Sequence, residues 1–115
     1  MLLIDIRDAL LTVTNKVYHF DATGAKGNYI VWAEEGQTSA TWADNKMQEQ
    51  AIGGTIDYFT KFEFDENVDK IQKALNDAEI SFELNSIQHE EQTKYIHYEW
   101  TWDIPNESDS TYLSV

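Results

Sequence analysis

The chain has 115 residues, of which 42% are hydrophobic and 13% aromatic, enough for one domain with a core of ordinary size. Asp and Glu number 21 against 8 Lys and Arg, a net charge of −13, which disfavours binding to phosphate backbones and to anionic membranes. There is no cysteine, which excludes disulfides and thiolate sites, and no apolar run of about 18 residues that predicts a membrane span.

The N-terminal half predicts one helix and two strands, followed by a long polar segment. Four apolar residues recur at helical spacing, namely Leu3, Ile6, Leu10 and Val13. They predict an amphipathic helix over 2–14 that packs on a sheet. Residues 16–21 and 29–35 are rich in β-branched and aromatic side chains and predict strands, joined by a glycine-rich turn over 22–28. Residues 36–50 have neither helical nor strand periodicity and predict a loop.

A third strand and a second helix are predicted next. Residues 51–64 alternate, and Gly53-Gly54 near the start of this segment indicates a bulge or a bend. Its predicted core phase consists of Ile52, Ile56, Tyr58 and Phe62. Asp65 is a favourable N-cap, and the apolar spacing that follows it predicts a helix over 66–78.

The last two predicted strands, 80–90 and 94–104, form an antiparallel hairpin. In the first of these strands, we expect the side chains of Ile80, Phe82 and Leu84 to face the core. The core face of the second strand is Ile96, Tyr98, Trp100, Trp102 and Ile104. Its other face is Tyr95, His97, Glu99, Thr101 and Asp103. Because that second face is polar, we expect no aromatic stacking platform on it.

The predicted order is α-β-β-β-α-β-β, which indicates an α+β domain over 1–105. We expect one antiparallel or mixed sheet with both helices packed on one face. Residues 106–115, which follow the only proline, are polar and predict a flexible C-terminal tail.

The sequence contains no G-x-S-x-G, phosphate-binding glycine loop, H-E-x-x-H or EF-hand pattern. Pairing of the last two strands could bring His89 near His97, with Glu90, Glu91 and Glu99 as further metal donors. The interpretation that we favour is an exposed polar face of a hairpin, without a metal.

Two carboxylate pairs, Glu34-Glu35 and Glu90-Glu91, lie at predicted strand ends. Solvated turn residues are usual there, and a catalytic pair needs a pocket that separates the two pKa values. We therefore predict that the protein is not an enzyme and has no catalytic residue, cofactor or metal.

Trp42 and Met47 lie in the polar segment 36–50. Aromatic residues and methionine are enriched at protein interfaces, so the segment is a candidate contact arm. The alternative, equally supported by the sequence, is that Trp42 folds back over the core as a lid.

With these elements placed, the chain resembles the small neck and tail-completion proteins of tailed bacteriophages and prophages. The resemblance is carried by "YIVWAEE" (29–35), "ADNKMQEQAIGGTIDYFTKFEFD" (43–65), "VDKIQKAL" (68–75) and "IQHEEQTKYIHYEWTWDI" (87–104). The order of "GTIDYFTK" and "FDENVDKIQKAL" is similar to tail terminator proteins of the lambda type. None of these stretches is diagnostic in the way that a set of metal ligands would be.

The resemblance implies a structural protein of the virion neck, assembled in the bacterial host cytoplasm. The resemblance implies a hexameric ring that caps the tail tube, stops its polymerisation and then presents the head-joining surface. Its subunits could be monomers in solution that form the ring on assembly. The expected partners are further copies of the chain, the tail tube protein and a head-completion protein, and DNA passes the ring without being bound. The candidate interface residues are Trp42, Asp44, Lys46, Met47, His97, Glu99, Asp103, Tyr112 and Leu113.

Three other functions stay open. The chain could be a head-completion or connector protein of the same neck. It could instead be a small acidic binding module, such as a protein inhibitor or a nucleic-acid mimic, for which a strong negative charge is also expected. The third is an enzyme with an unrecognised carboxylate site.

Overall fold

A computed structural model describes residues 1–37, 41–43, 46–49 and 51–105. Its two helices are α1 (Leu3–Leu11) and α2 (Glu66–Asp77). Its strands are β1 (Val17–His19), β2 (Tyr29–Gln37), β3 (Thr41–Ala43), β4 (Lys46–Glu49), β5 (Ala51–Thr60), β6 (Ser81–His89) and β7 (Ile96–Pro105). The main sheet has five strands in the order β1-β2-β5-β7-β6, and β3 pairs with β4. β1 runs parallel to β2 and the other neighbours are antiparallel, which confirms the α+β fold and the predicted order.

The core lies between one face of the main sheet and both helices. The helices contribute Leu3, Ile6, Leu10, Ile71 and Leu75 to it. The inward phase of β7 confirms the prediction at Ile96, Trp100, Trp102 and Ile104, which are all buried, while Tyr98 is partly buried against them. The indole N–H of Trp100 donates to Oε1 of Gln72 on α2 at 3.0 Å, so the only polar atom of this ring keeps a partner inside the core.

Asp65 begins α2, as predicted, and also joins the helix to the sheet. Its Oδ1 accepts from the backbone N–H of Asn67 at 2.9 Å, which satisfies one free amide of the first turn. Its Oδ2 accepts from the hydroxyls of Tyr58 and Thr60, both at 2.7 Å. Asn28 donates to the same oxygen at 3.4 Å. One carboxylate therefore fixes the helix start against β5 and the start of β2.

Gly54 lies on β5 at a point where the backbone of β2 leaves no room for a side chain. A Cβ at this position would stand 1.9 Å from the carbonyl oxygen of Ala33 and 2.8 Å from the indole of Trp102. The register of β2 against β5 shifts between Glu34 and Gly36. The predicted bulge thus exists, but it is in the strand opposite the Gly53-Gly54 pair, because the glycines supply the space and β2 supplies the extra residue.

Several predicted boundaries were too generous. The first helix spans Leu3–Leu11 rather than 2–14, and the first strand ends at His19 because Phe20 has a φ of 69°. The third strand ends at Thr60 rather than at 64. Phe62 therefore lies in the following turn, is 66% exposed, and does not share the core phase that its spacing suggested.

The predicted loop 36–50 was also wrong. β2 continues to Gln37, and the short strands β3 and β4 pair with each other. Their register shifts between Thr41 and Trp42, and a shift within strands of three and four residues removes the alternation on which sequence prediction depends. The predicted flexible tail, 106–115, lies outside the described residues.

None of the helices in the described ranges combines the length and apolar character that crossing a bilayer requires.

Candidate functional site

The face of the main sheet opposite α1 and α2, here called the outer face, carries the odd-numbered side chains of β5 and β7. Strand register places its residues in rows across the sheet. One row runs Tyr29, Phe59, His97 and Gln88, and the next runs Val31, Asp57, Glu99 and Ser86. The predicted polar residues of β7 thus lie beside aromatic residues of β2 and β5.

The first row is a cluster of stacked rings. His97 stacks on Phe59 with centroids 4.3 Å apart, and Phe59 stacks on Tyr29 at 4.9 Å. Tyr95 meets both Phe59 and Tyr29 edge-on, at 6.1 and 6.0 Å. The Nζ of Lys61 lies 4.9 Å from the centre of the Tyr95 ring. The expectation of no stacking platform on this face was therefore wrong, since the platform is assembled across three strands and is not visible along β7 alone.

One histidine of the first row meets several carboxylates, two of them in the second row. His97 Nε2 lies 2.6 Å from Asp57 Oδ1, and His97 Nδ1 lies 3.8 Å from Glu90 Oε2. Asp57 and Glu99 are directly opposite each other on β5 and β7. Donor atoms of Asp57, His97 and Glu99 all lie within 4.8 Å of one another, and all three residues are half-buried. This group is called the Asp57 cluster below.

Burial raises the pKa of Asp57 from its ordinary value, because desolvation penalises the charged carboxylate. The hydrogen bond and charge of His97 act in the opposite direction, and the negative charge of Glu99 adds to the increase. Two carboxylates facing each other across a ladder repel, so the cluster favours an added positive charge.

A pocket of about 450 Å³ opens at the other end of the outer face. It lies beside the bulge of β2, and three of its lining residues are acidic, namely Glu35, Glu83 and Asp103. Asp103 pairs with Gly53 and Ser81 in the ladder, four rungs from Glu99 along β7. The acidic character of the outer face therefore extends to this end of the sheet.

Of the predicted interface residues, the structure places His97 and Glu99 together in the Asp57 cluster and Asp103 in the pocket. Trp42, Lys46 and Met47 have backbone positions in β3 and β4, but their side chains lie outside the described part of the structure. Asp44, Tyr112 and Leu113 lie wholly outside it, so the choice between contact arm and lid for Trp42 stays open.

The suggested approach of His89 to His97 does not occur. β6 shifts register against β7 between Leu84 and Ser86, so His89 pairs with Ile96 rather than with His97. It therefore has the phase of the helix-covered face, opposite to His97. The partner that sequence reasoning missed is Asp57, which lies 40 residues away; its signal was the polar phase of β5.

The two edges of the main sheet both expose apolar side chains. At the β1 edge, Phe20 is 61% exposed. At the β6 edge, Ile87 is 54% exposed and Leu84 is 37% exposed, although Leu84 was predicted to face the core. Both residues pair with core-facing residues of β7. Because β6 is an outermost strand, α2 does not cover their side chains completely. They form the apolar flank of this edge.

Neither a comparison with protein-family models nor a comparison with curated proteins finds a match to this sequence. The resemblance to tail terminators stays a prediction from the sequence stretches quoted above.

Proposed function

We propose that the chain is a structural subunit of the neck of a tailed bacteriophage, of the tail-terminator type. It assembles head to tail into a ring that caps the tail tube, ends tube polymerisation and offers a surface to the head. Its work is done by shape and contact rather than by catalysis. A head-completion or connector role in the same neck would use the same kind of subunit.

The observation that carries this proposal is the pair of unlike apolar edges. Phe20 marks one edge of the five-stranded sheet, and Leu84 with Ile87 marks the opposite edge. A ring is closed by a heterologous interface, in which one surface of each subunit meets a different surface of the next. Exposed apolar residues on an outermost strand are otherwise a hazard, because open edges recruit further strands.

The charge distribution supports the same role. Six copies at −13 each would surround a bore that DNA must traverse. Carboxylates release no condensed counterions from DNA and repel its phosphates, so a negative bore does not retain the passing strand. The outer face, with Asp57, Glu83, Glu99 and Asp103, is the surface that suits this lining.

The small acidic binding module is the second candidate, and the stacked rings beside the Asp57 cluster favour it. Aromatic rings flanked by carboxylates suit arginine and lysine side chains of a basic protein. This function predicts a stable one-to-one complex with a basic partner and no self-assembly.

The test compares assembly of the wild-type protein with that of Ile87→Glu. Light scattering after size-exclusion chromatography, over a wide concentration range, should show a concentration-dependent oligomer, and electron microscopy should show rings. Ile87→Glu should raise the concentration needed for assembly at least about tenfold, since a charge replaces apolar surface at a desolvated contact. The matched control is Ile4→Glu, where the isoleucine is 44% exposed but lies on helix α1 rather than on β6.

If the subunit assembles only on the tail tube, a second experiment is needed that includes the tail tube protein encoded beside it. Addition of the wild-type chain should then stop tube growth, and Ile87→Glu should not. A protein that is monomeric at every concentration and leaves tube length unchanged contradicts the proposal. Equal assembly of the Ile4 and Ile87 variants contradicts the assignment of the β6 edge.

A further inference from the structure

We propose that Asp57, His97 and Glu99 form a binding site for one zinc ion on the outer face of the sheet. The proposal rests on the side chains of these residues and does not depend on the ring function.

The three donors lie on β5 and β7, two adjacent inner strands of the main sheet. Asp57 on β5 and Glu99 on β7 are ladder partners, and His97 is two residues before Glu99 on the same face. Side chains of directly opposed residues start about 5 Å apart, a separation that one metal ion can bridge. The side chains of His97 and Asp57 keep 18% and 19% of their surface exposed, so an ion has access from solvent.

The distances need only side-chain rotation to fit a metal. Zinc lies about 2.1 Å from nitrogen and oxygen donors, so two donors on one ion are roughly 3–4 Å apart. The donors here lie within 4.8 Å, and the 2.6 Å contact between His97 and Asp57 must widen by less than about 1 Å. Three protein donors and an open position for water form an ordinary coordination set for this ion.

The two carboxylate donors also have outer partners that orient them. Glu90 Oε2 lies 3.8 Å from Nδ1 of His97, beyond hydrogen-bond distance, and adds negative charge near the imidazole. Asn85 donates to Oε1 of Glu99 at 2.8 Å, which leaves the other carboxylate oxygen for a metal. A side-chain hydrogen bond from Thr55 reaches Asp57. Such outer partners are characteristic of metal ligands, since they set the imidazole tautomer and the carboxylate rotamer.

The aromatic cluster holds the His97 ring in place, and the local negative charge favours binding of a cation. Phe59 stacks on the His97 ring at 4.3 Å and restricts its rotation. The imidazole of His97 faces two carboxylates within the Asp57 cluster, those of Asp57 and Glu99, and a third, Glu90, beside it. A divalent cation offsets this excess of negative charge, and the mixture of imidazole and carboxylate donors selects zinc over magnesium, which prefers oxygen alone.

The experiment is isothermal titration of the full, untagged chain with zinc chloride, and separately with magnesium chloride. We expect one zinc site per chain in the first titration and no heat of binding in the magnesium titration. Asp57→Asn and Glu99→Gln should weaken zinc binding by more than the roughly 10- to 100-fold that loss of an outer partner causes, and Asn85→Ala should fall within that range. The matched control is His89→Gln, because His89 is exposed in the same hairpin but on the opposite phase, and it should bind zinc as the wild type does.

A second measurement separates ligation from a general effect on the fold. In ¹⁵N-resolved spectra of the histidine rings, zinc should shift Nε2 of His97 and leave His19 and His89 unchanged. Absence of a one-to-one zinc site overturns the proposal. Weak binding to several sites that survives both Asp57→Asn and Glu99→Gln also overturns it, because it would reflect only the acidic surface.

Discussion

Replacement of Asp65 by alanine should be among the most destabilising single changes in this protein. The carboxylate performs two tasks that are usually divided between residues. Oδ1 caps α2 through the amide of Asn67, and Oδ2 accepts from the hydroxyls of Tyr58 and Thr60. Both hydroxyl-bearing residues are fully buried, so each hydroxyl loses its acceptor in a part of the protein where few other acceptors are within reach.

The magnitude follows from these contacts. Loss of an N-cap costs about 1 kcal/mol. Each buried donor left without an acceptor costs about 1–3 kcal/mol. Asp65 is only partly buried, so Tyr58 and Thr60 should each fall in the lower part of this range, at about 1–2 kcal/mol, and together add about 2–4 kcal/mol. The expected loss for Asp65→Ala is about 3–5 kcal/mol, or about 15–25 °C in Tm for a domain near 100 residues. Asp65→Asn keeps a capping oxygen but replaces the second acceptor with a donor, so it should lose about 2–3 kcal/mol.

The assay is urea unfolding followed by tryptophan fluorescence and far-UV circular dichroism, with midpoint and slope compared among variants. The matched control is Asp69→Ala, which removes an exposed carboxylate from the first turn of the same helix and should cost less than about 1 kcal/mol. The reasoning is refuted if Asp65→Ala and Asp69→Ala have equal stability, or if Asp65→Ala is within 1 kcal/mol of the wild type.

The stabilisation by Asp65 should also depend on pH, in a direction that follows from the pKa of its carboxyl group. Burial alone would raise the pKa of Asp65, but the hydrogen bonds from Thr60, Tyr58 and Asn67 outweigh it and lower the pKa below its ordinary value of 3.8. The stabilisation is therefore complete above the unfolded pKa and is lost as the pH falls through the lower folded value. The stability gap between wild type and Asp65→Asn should be constant near neutral pH and should narrow below pH 3.8.

Three further changes test the core and its polar contacts. Gly54→Ala should destabilise by about 3 kcal/mol in the same unfolding assay, because its Cβ would overlap the carbonyl of Ala33, and a wild-type midpoint would refute the close approach. Trp100→Phe should cost about 1–3 kcal/mol through a cavity and the lost hydrogen bond to Gln72, whereas no change in midpoint would mean that the indole is not tightly packed. Burial raises the pKa of Tyr58 to about 12, so alkaline difference spectra should contain a titration step near pH 12 that Tyr58→Phe removes, and an unchanged curve would contradict this environment.

Local patterns predicted the elements that bury one regular face. The spacing of Leu3, Ile6 and Leu10 specified α1, and the strict alternation around Trp100 and Trp102 specified the core face of β7. Asp65 was recognisable as an N-cap because the requirement of a helix start for a side-chain acceptor is local. These are the features for which neighbouring residues carry all the necessary information.

Strand ends, edges and the candidate site depended on contacts between distant residues. Phe62 shares the period of β5 yet is exposed, because the chain turns at Thr60 to bring Asp65 to two hydroxyls of that strand. Leu84 lies in the apolar phase of β6 yet is exposed, because β6 is an outermost strand. The local sequence of β6 does not indicate this position in the sheet.

The residues that the polar face of β7 contacts were decided by strand register. Alternation placed His97 and Glu99 on the outer face, but it could not name the residues across the ladder. Pairing with β5 brought Phe59 under the imidazole and Asp57 to its Nε2, and the register shift in β6 removed His89 from reach. The sequence by itself determined the core face in the regular parts of α1 and β7, because burial there follows a local period. Only the tertiary structure decided which polar side chains meet, because strand order and register are set by the packing of the whole sheet.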